Sequence, residues 1–195
     1  MSKANLNREV IVQTAAVLAD QEGIDQVSMA AIARQLGVTV PSLYKHVSSL
    51  PAVHRELAVR AMEGLIGEVT DATSGGEPGT ELANLANAYR RYATEHPGLY
   101  AASTRGADPS DEELVRLTDQ LLEVISRVLV RRGMRRQDWI HDVRMLRSAL
   151  HGCVALEASG NYGPDVNADD SFKRLIDGLD AALGRTEQPW TWPLA

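Results

Sequence analysis

Twenty residues near the N-terminus, "SMAAIARQLGVTVPSLYKHV" from Ser28 to Val47, hold two helix starts with a glycine between them. Ser28 is a good N-cap, and Met29, Ile32, Ala33 and Leu36 then recur at helical spacing. Gly37 turns the chain, since glycine takes the left-handed conformation that commonly ends a helix. Thr39 is expected to cap a second helix, with Pro41 in its first turn, where a missing N–H costs least. The preceding segment gives this short pair a helix to pack on. There Val10, Ile11, Thr14, Val17 and Leu18 keep helical spacing between a capping Asn7 and a stop at Gly23. Two short helices joined by a glycine turn and packed on a third form a helix-turn-helix.

The remainder also reads as helix. Ser49 starts a long one, with Val53, Leu57, Ala61, Met62, Leu65, Ile66 and Val69 on one side. Gly64 and Gly67 weaken it by up to ~1 kcal/mol each relative to alanine, so tertiary contacts must offset them. "SGGEPGT" from Ser74 is the clearest loop, and Leu82 to Ala93 form the next helix, broken by "HPG" at His96. "DPSDEE" from Asp108 resembles a helix start, with acidic side chains at the positive end of the dipole. That helix runs on to Gly133, another spans about Asp138 to Ser159, and a last one carries Phe172, Leu175, Ile176, Leu179 and Leu183. No alternating strand pattern is long enough to assign. The expected fold is all-α: an N-terminal three-helix unit over residues 1–50 and a larger helical body over 51–195.

Composition limits function more than fold. A chain of 195 residues with 44% hydrophobic and 24% charged residues can bury a core without staples. The single Cys153 rules out an internal disulfide and fits a reducing compartment. No apolar run approaches a membrane span, and "MSKANLNREV" lacks the apolar core of a signal peptide, so a soluble cytoplasmic protein is expected. Net charge is −6, which by itself argues against a polyanionic partner. The first 60 residues nevertheless hold six cations against five acids, and that end would face a phosphate backbone.

In a helix-turn-helix the second helix enters the DNA major groove while residues at its edges hold phosphates. If Leu36, Val38 and Leu43 face the core, then Thr39, Ser42, Lys45 and His46 point outward. Spacing alone leaves a plain helical hairpin with a half-buried Tyr44 equally open. The sequence adds more: "AAVLADQEG", Val27-Ser28, Ile32-Ala33, "LGV" and above all "PSLYKHV" together resemble the N-terminal domain of the TetR family of transcriptional regulators. That resemblance covers about the first third of the chain, from Arg8 to Leu57. It implies a homodimer that binds a palindromic double-stranded operator, with a C-terminal helical domain that dimerises and binds a small-molecule effector. No cofactor and no membrane association are expected.

Carried over by position, the recognition helix is about Thr39 to Val47. Thr39, Val40, Pro41 and Ser42 match positions that approach bases or the adjoining backbone. Tyr44, Lys45 and His46 match phosphate contacts, and Ser28 looks like another. The chain departs from the family where members usually carry Lys just after the cap of the fourth helix. Here "SSLPAV" has Leu50 and Pro51, which implies weaker or less salt-dependent binding.

The C-terminal part carries fewer signals. "RSALHGCVALEASGNYG" resembles a subgroup with a Trp-x-x-x-His-Gly pattern, but Arg147 replaces the Trp. His151 could sense a ligand or bind a metal, though a lone His beside a Gly reads first as a packed interface residue. Met62, Leu65, Tyr89, Tyr92, Tyr100, Trp139 and Met145 are the pocket candidates, yet aromatics at helical spacing read first as core. Leu150, His151, Gly152, Val154, Leu175, Leu179 and Leu183 are the dimer candidates, because one small chain need not cover their apolar stripe. Cys153 reads as an inert small apolar residue.

An all-helical enzyme is the first alternative. The chain has no H-E-x-x-H, no G-x-x-x-x-G-K, no G-x-S-x-G and no paired Glu-x-x-His, and its histidines are dispersed. A helical dimer that has lost DNA binding is the second, and the intact "PSLYKHV" argues against it. The reading is a ligand-responsive DNA-binding regulator, most simply a repressor.

Overall fold

The computed structural model describes residues 6–75, 77, 79–105, 108–131, 139–163 and 167–183. Among these, helices run in the order α1 (Arg8–Glu22), α2 (Met29–Leu36), α3 (Val40–Leu43), α4 (Leu50–Thr73), α5 (Glu81–Glu95), α6 (Pro97–Thr104), α7 (Glu112–Arg131), α8 (Trp139–Ala158) and α9 (Ala168–Leu183). A single 3-10 turn, Ile24–Gln26, follows α1, and the described residues contain no strand. The all-α expectation holds. The expected helix ends at Gly133 and Asp138 lie outside the described residues.

The chain divides into two compact units, Met1–Glu68 with Arg91–Leu121, and Val69–Arg90 with Leu122–Ala195. The expected boundary at residue 50 falls at the first residue of α4. In the first unit, Ile11, Ala15 and Ala19 of α1, Ile32 of α2, Leu43 of α3 and Val53 and Leu57 of α4 share one core with Ala102 of α6. Burying such side chains is worth roughly 1.5–3 kcal/mol each, which is why a helix as short as α3 holds its place.

Helix α6 is not expected from the sequence, where "HPG" reads as a break alone. Proline at the first helical position is also a helix start. The cap comes from a residue far away in sequence: Asp20 of α1 accepts hydrogen bonds from the Gly98 and Leu99 amides at 2.9 and 3.0 Å, and its other oxygen lies 3.2 Å from His96 Nδ1. Gly98 is required by close approach, since a Cβ there would fall on the Ala19 carbonyl. Gly64 has a similar role, because a Cβ on it would lie 2.8 Å from the Tyr92 ring. The expected weakness at Gly64 is thus a packing site, whereas a Cβ on Gly67 would meet nothing within 4 Å. Burial pushes the Tyr92 hydroxyl's pKa upward.

In the second unit α8 packs against α9. Arg90 of α5 donates to both carboxylate oxygens of Glu157 on α8 at 2.8 and 2.5 Å, and to Asp169 on α9 at 2.7 Å. The same guanidinium lies 4.7 Å from the Phe172 ring centroid. One cation thereby ties together the end of α8 and the start of α9. The Tyr162 hydroxyl donates to Cys153 Sγ at 2.9 Å, which pushes its own pKa up to about 12.

Candidate nucleic-acid interface

Local chemistry sets up the reading helix step by step. Asn7 Oδ1 accepts from the Val10 amide at 2.9 Å and starts α1. Ser28 Oγ accepts from the Ala31 amide at 3.1 Å and starts α2, as its cap position predicts. Gly37, at φ 65°, ends α2 in the left-handed region. Its amide donates to the Arg34 carbonyl, and the Val38 amide reaches back to the Ala33 carbonyl at 3.0 Å. Ser49 Oγ then accepts from the Ala52 amide at 3.2 Å and begins α4.

Two expectations about the reading helix need correcting. Thr39 occupies the cap position, but its hydroxyl bonds to Ser42 Oγ at 2.8 Å rather than to a backbone amide. Regular α-helix spans only Val40–Leu43, and Tyr44 to His46 continue as a turn, where the expectation ran to Val47. The physical reason is the pair of amides, from His46 and Val47, that both donate to the Leu43 carbonyl at 2.9 and 3.1 Å and close the chain toward Ser49.

The apolar side of this element is locked. Leu43 is fully buried, Val47 is buried, and Leu36, Val38 and Val40 are packed against the same core. What remains outward is polar: Thr39, Lys45 and His46 are exposed, Ser42 is half-buried, and Tyr44 is 52% exposed. Tyr44 is thus more open than the half-buried tyrosine expected of a plain hairpin. Pro41 is exposed as well, while Val40 gives part of its surface to the core. Such a surface offers hydroxyls, one amine and one imidazole on a rigid base, which suits contact with phosphates and base edges.

Comparison with known proteins decides the family. Residues 11–49 match the model described as bacterial regulatory proteins, tetR family, and residues 82–179 match the tetracyclin repressor-like C-terminal domain. The chain belongs to the TetR family. It is 36% identical to the uncharacterised HTH-type transcriptional regulator YobS of Bacillus subtilis, over 92% of this chain and 88% of that protein. It is 35% identical to an uncharacterised HTH-type transcriptional regulator of Mycobacterium tuberculosis, over 93% of this chain and 84% of that one. In fold it is similar to ActR of Streptomyces coelicolor, solved in complex with (S)-DNPA, with TM-score 0.66 and 20% identity over 92% of this chain and 98% of that one. This TetR-family chain is therefore a DNA-binding transcriptional regulator, and the enzyme alternative falls with that assignment.

The pocket and dimer candidates fare differently. Met62, Leu65, Tyr92 and Tyr100 are buried in the first unit and Tyr89 in the second, but Trp139 and Met145 are more than a third exposed on α8. Those two do not join a buried group. Leu150, Val154, Leu179 and Leu183 are buried within one chain. Leu175 and Gly152 are half-buried and His151 is exposed. Near the first turn of α7, Arg55 of α4 donates to Asp111 through Nε at 2.5 Å and Nη2 at 2.8 Å, and to Glu113 at 2.8 Å. The groove it shares with Asp108, Ser110 and Arg116 is open and polar. None of the pocket candidates lines it. No helix among the described residues is long and apolar enough to cross a membrane.

Proposed function

We propose that this TetR-family regulator is a homodimeric repressor that holds a palindromic operator and releases it when a small, largely apolar molecule binds. The observation that carries the DNA-binding half is the exposed Tyr44–His46 turn, held by a helix whose apolar side is fully committed to the core. In this reading α3 enters the major groove. Thr39, Val40, Pro41 and Ser42 approach base edges or the adjoining backbone, whereas Ser28, Tyr44, Lys45 and His46 hold phosphates. Residues 1–50 then serve as the reader and 51–195 as the effector and dimerisation body.

Dimerisation is assigned to the side of α8 that is exposed among the described residues. Ser148, His151, Ala155 and Leu156 are exposed there beside Gly152, and a Cβ on Gly152 would meet nothing within 4 Å. A two-fold axis pairs this patch with itself and presents two readers to half-sites ~34–36 Å apart or a multiple of that. Release is assigned to α6, which is pinned to α1 by Asp20 and seated by Gly98. A shift of α6 on effector binding carries α1, and with it the reader, out of register. Support for a small-molecule effector comes from the likeness to ActR, whose complex holds (S)-DNPA.

Selection from random duplexes followed by footprinting tests the reading. A symmetric enriched sequence protected over two half-sites supports it, and absence of any enrichment removes it. Calorimetry of a ligand with and without that duplex then tests release. A coupling of ~1–3 kcal/mol, about 5–150-fold, must appear reciprocally in both affinities.

A further inference from the structure

The cations of the reading end are not equally available to DNA. Five of them lie among residues 6–60: Arg8, Arg34, Lys45, Arg55 and Arg60. Three are engaged within the chain. Arg8 pairs with Glu56, Arg60 with Glu9 and Gln13, and Arg55 with Asp111 and Glu113. Arg34 and Lys45 are exposed and have no ion pair among the described residues.

We infer that Arg34 is a second phosphate-neutralising residue of this regulator, partnering Lys45 across the α2–α3 turn. The inference rests on the DNA-binding reading above and adds a residue that the family pattern did not supply. Arg34 stands in the last turn of α2, and its own carbonyl accepts the Gly37 amide that leads into the reading helix. Its side chain is therefore anchored three residues from the turn and five from Thr39, where α3 begins. Ala30 is exposed one turn earlier on the same face, while Met29, Ile32 and Ala33 on the other side are buried. The helix itself carries no acid. A helix lying in a groove ~12 Å wide is flanked by a phosphate strand on each side. A flexible guanidinium beside the turn can reach one strand while Lys45 serves the other.

The plain alternative is that Arg34 merely complements the negative end of the α2 dipole. The two roles differ in salt dependence. Each phosphate neutralised by a cation contributes ~0.9 to the slope of log affinity against log salt. Arg34→Ala should make that slope shallower by ~0.9 per bound subunit, as should Lys45→Ala, and the double variant by ~1.8. The assay is fluorescence anisotropy between low and moderate salt on the selected duplex and on a random duplex. Arg34→Ala should lower affinity for both by the same factor, and Arg34→Lys should keep the wild-type slope. The circular dichroism melt of each variant confirms that the fold is intact. An unchanged slope for Arg34→Ala beside a shallower one for Lys45→Ala overturns this inference alone. Failure of the wild-type protein to bind either duplex overturns the DNA-binding reading and this inference with it.

Discussion

The α2–α3 turn and the α8–α9 pair are both helical hairpins, yet their exposed faces are specified by different kinds of chemistry. In the first, each boundary is set by one residue acting on atoms three or four positions away. Ser28 caps Ala31, Gly37 supplies a positive φ, and Leu43 accepts two amides that end the helix. Once those are placed, Tyr44 and Lys45 can only point outward. In the second, two sides of α8 carry apolar or small residues. Leu150 and Val154 turn into the chain, and Ala155 and Leu156 turn away from it. Capping is a local bond, whereas the inside of a long amphipathic helix is defined by whatever packs on it.

Core substitutions should break this comparison most severely. Leu43→Ala and Leu150→Ala remove fully buried side chains and should each cost ~2–5 kcal/mol in denaturant unfolding. Both losses should be independent of protein concentration. A loss for Leu150→Ala that shrank on dilution would return Leu150 to a subunit interface.

Ala155→Arg tests the opposite side of α8. It should leave the stability of one chain within ~0.5 kcal/mol, as surface changes do, yet move sedimentation toward monomer. Unchanged association would take the dimer surface away from this side of α8. Ser28→Ala is a smaller change and should cost ~1 kcal/mol through the lost cap. It should also weaken every duplex by a similar factor if the same hydroxyl spends its proton on a phosphate.

The smallest expected effect is one of pH. The Arg55 guanidinium, by hydrogen bonding first and charge second, holds the Asp111 carboxyl below its ordinary value, and the Leu114 amide adds to this. The unfolded chain then takes up the proton more readily than the folded one. Stability from this pair is therefore present above about pH 4 and lost as pH falls below it. Asp111→Asn should flatten that acid limb in thermal melts, and an unaltered limb would mean that the pair contributes nothing measurable.

Sequence alone determined the helices whose start and stop signals lie within a few residues of each other. Asn7, Ser28, Gly37, Ser49 and Asp111 all act where their residue types predict, because a cap bonds to its own segment. It also determined which residues of the reader stand outside, since burying Leu43 leaves the adjoining Tyr44 and Lys45 no other direction. Only the tertiary structure decided four other things. It made α6 a helix, because the cap on Gly98 and Leu99 comes from Asp20 in α1. It turned Gly64 and Gly98 into contact points, because only packing shows what a Cβ there would strike. It assigned the stripe of Leu150 and Val154 to the chain's own interior, and it separated the engaged cations from the two that stay open. These depend on partners tens of residues distant, and helical periodicity records only that a face is apolar, never which surface will cover it.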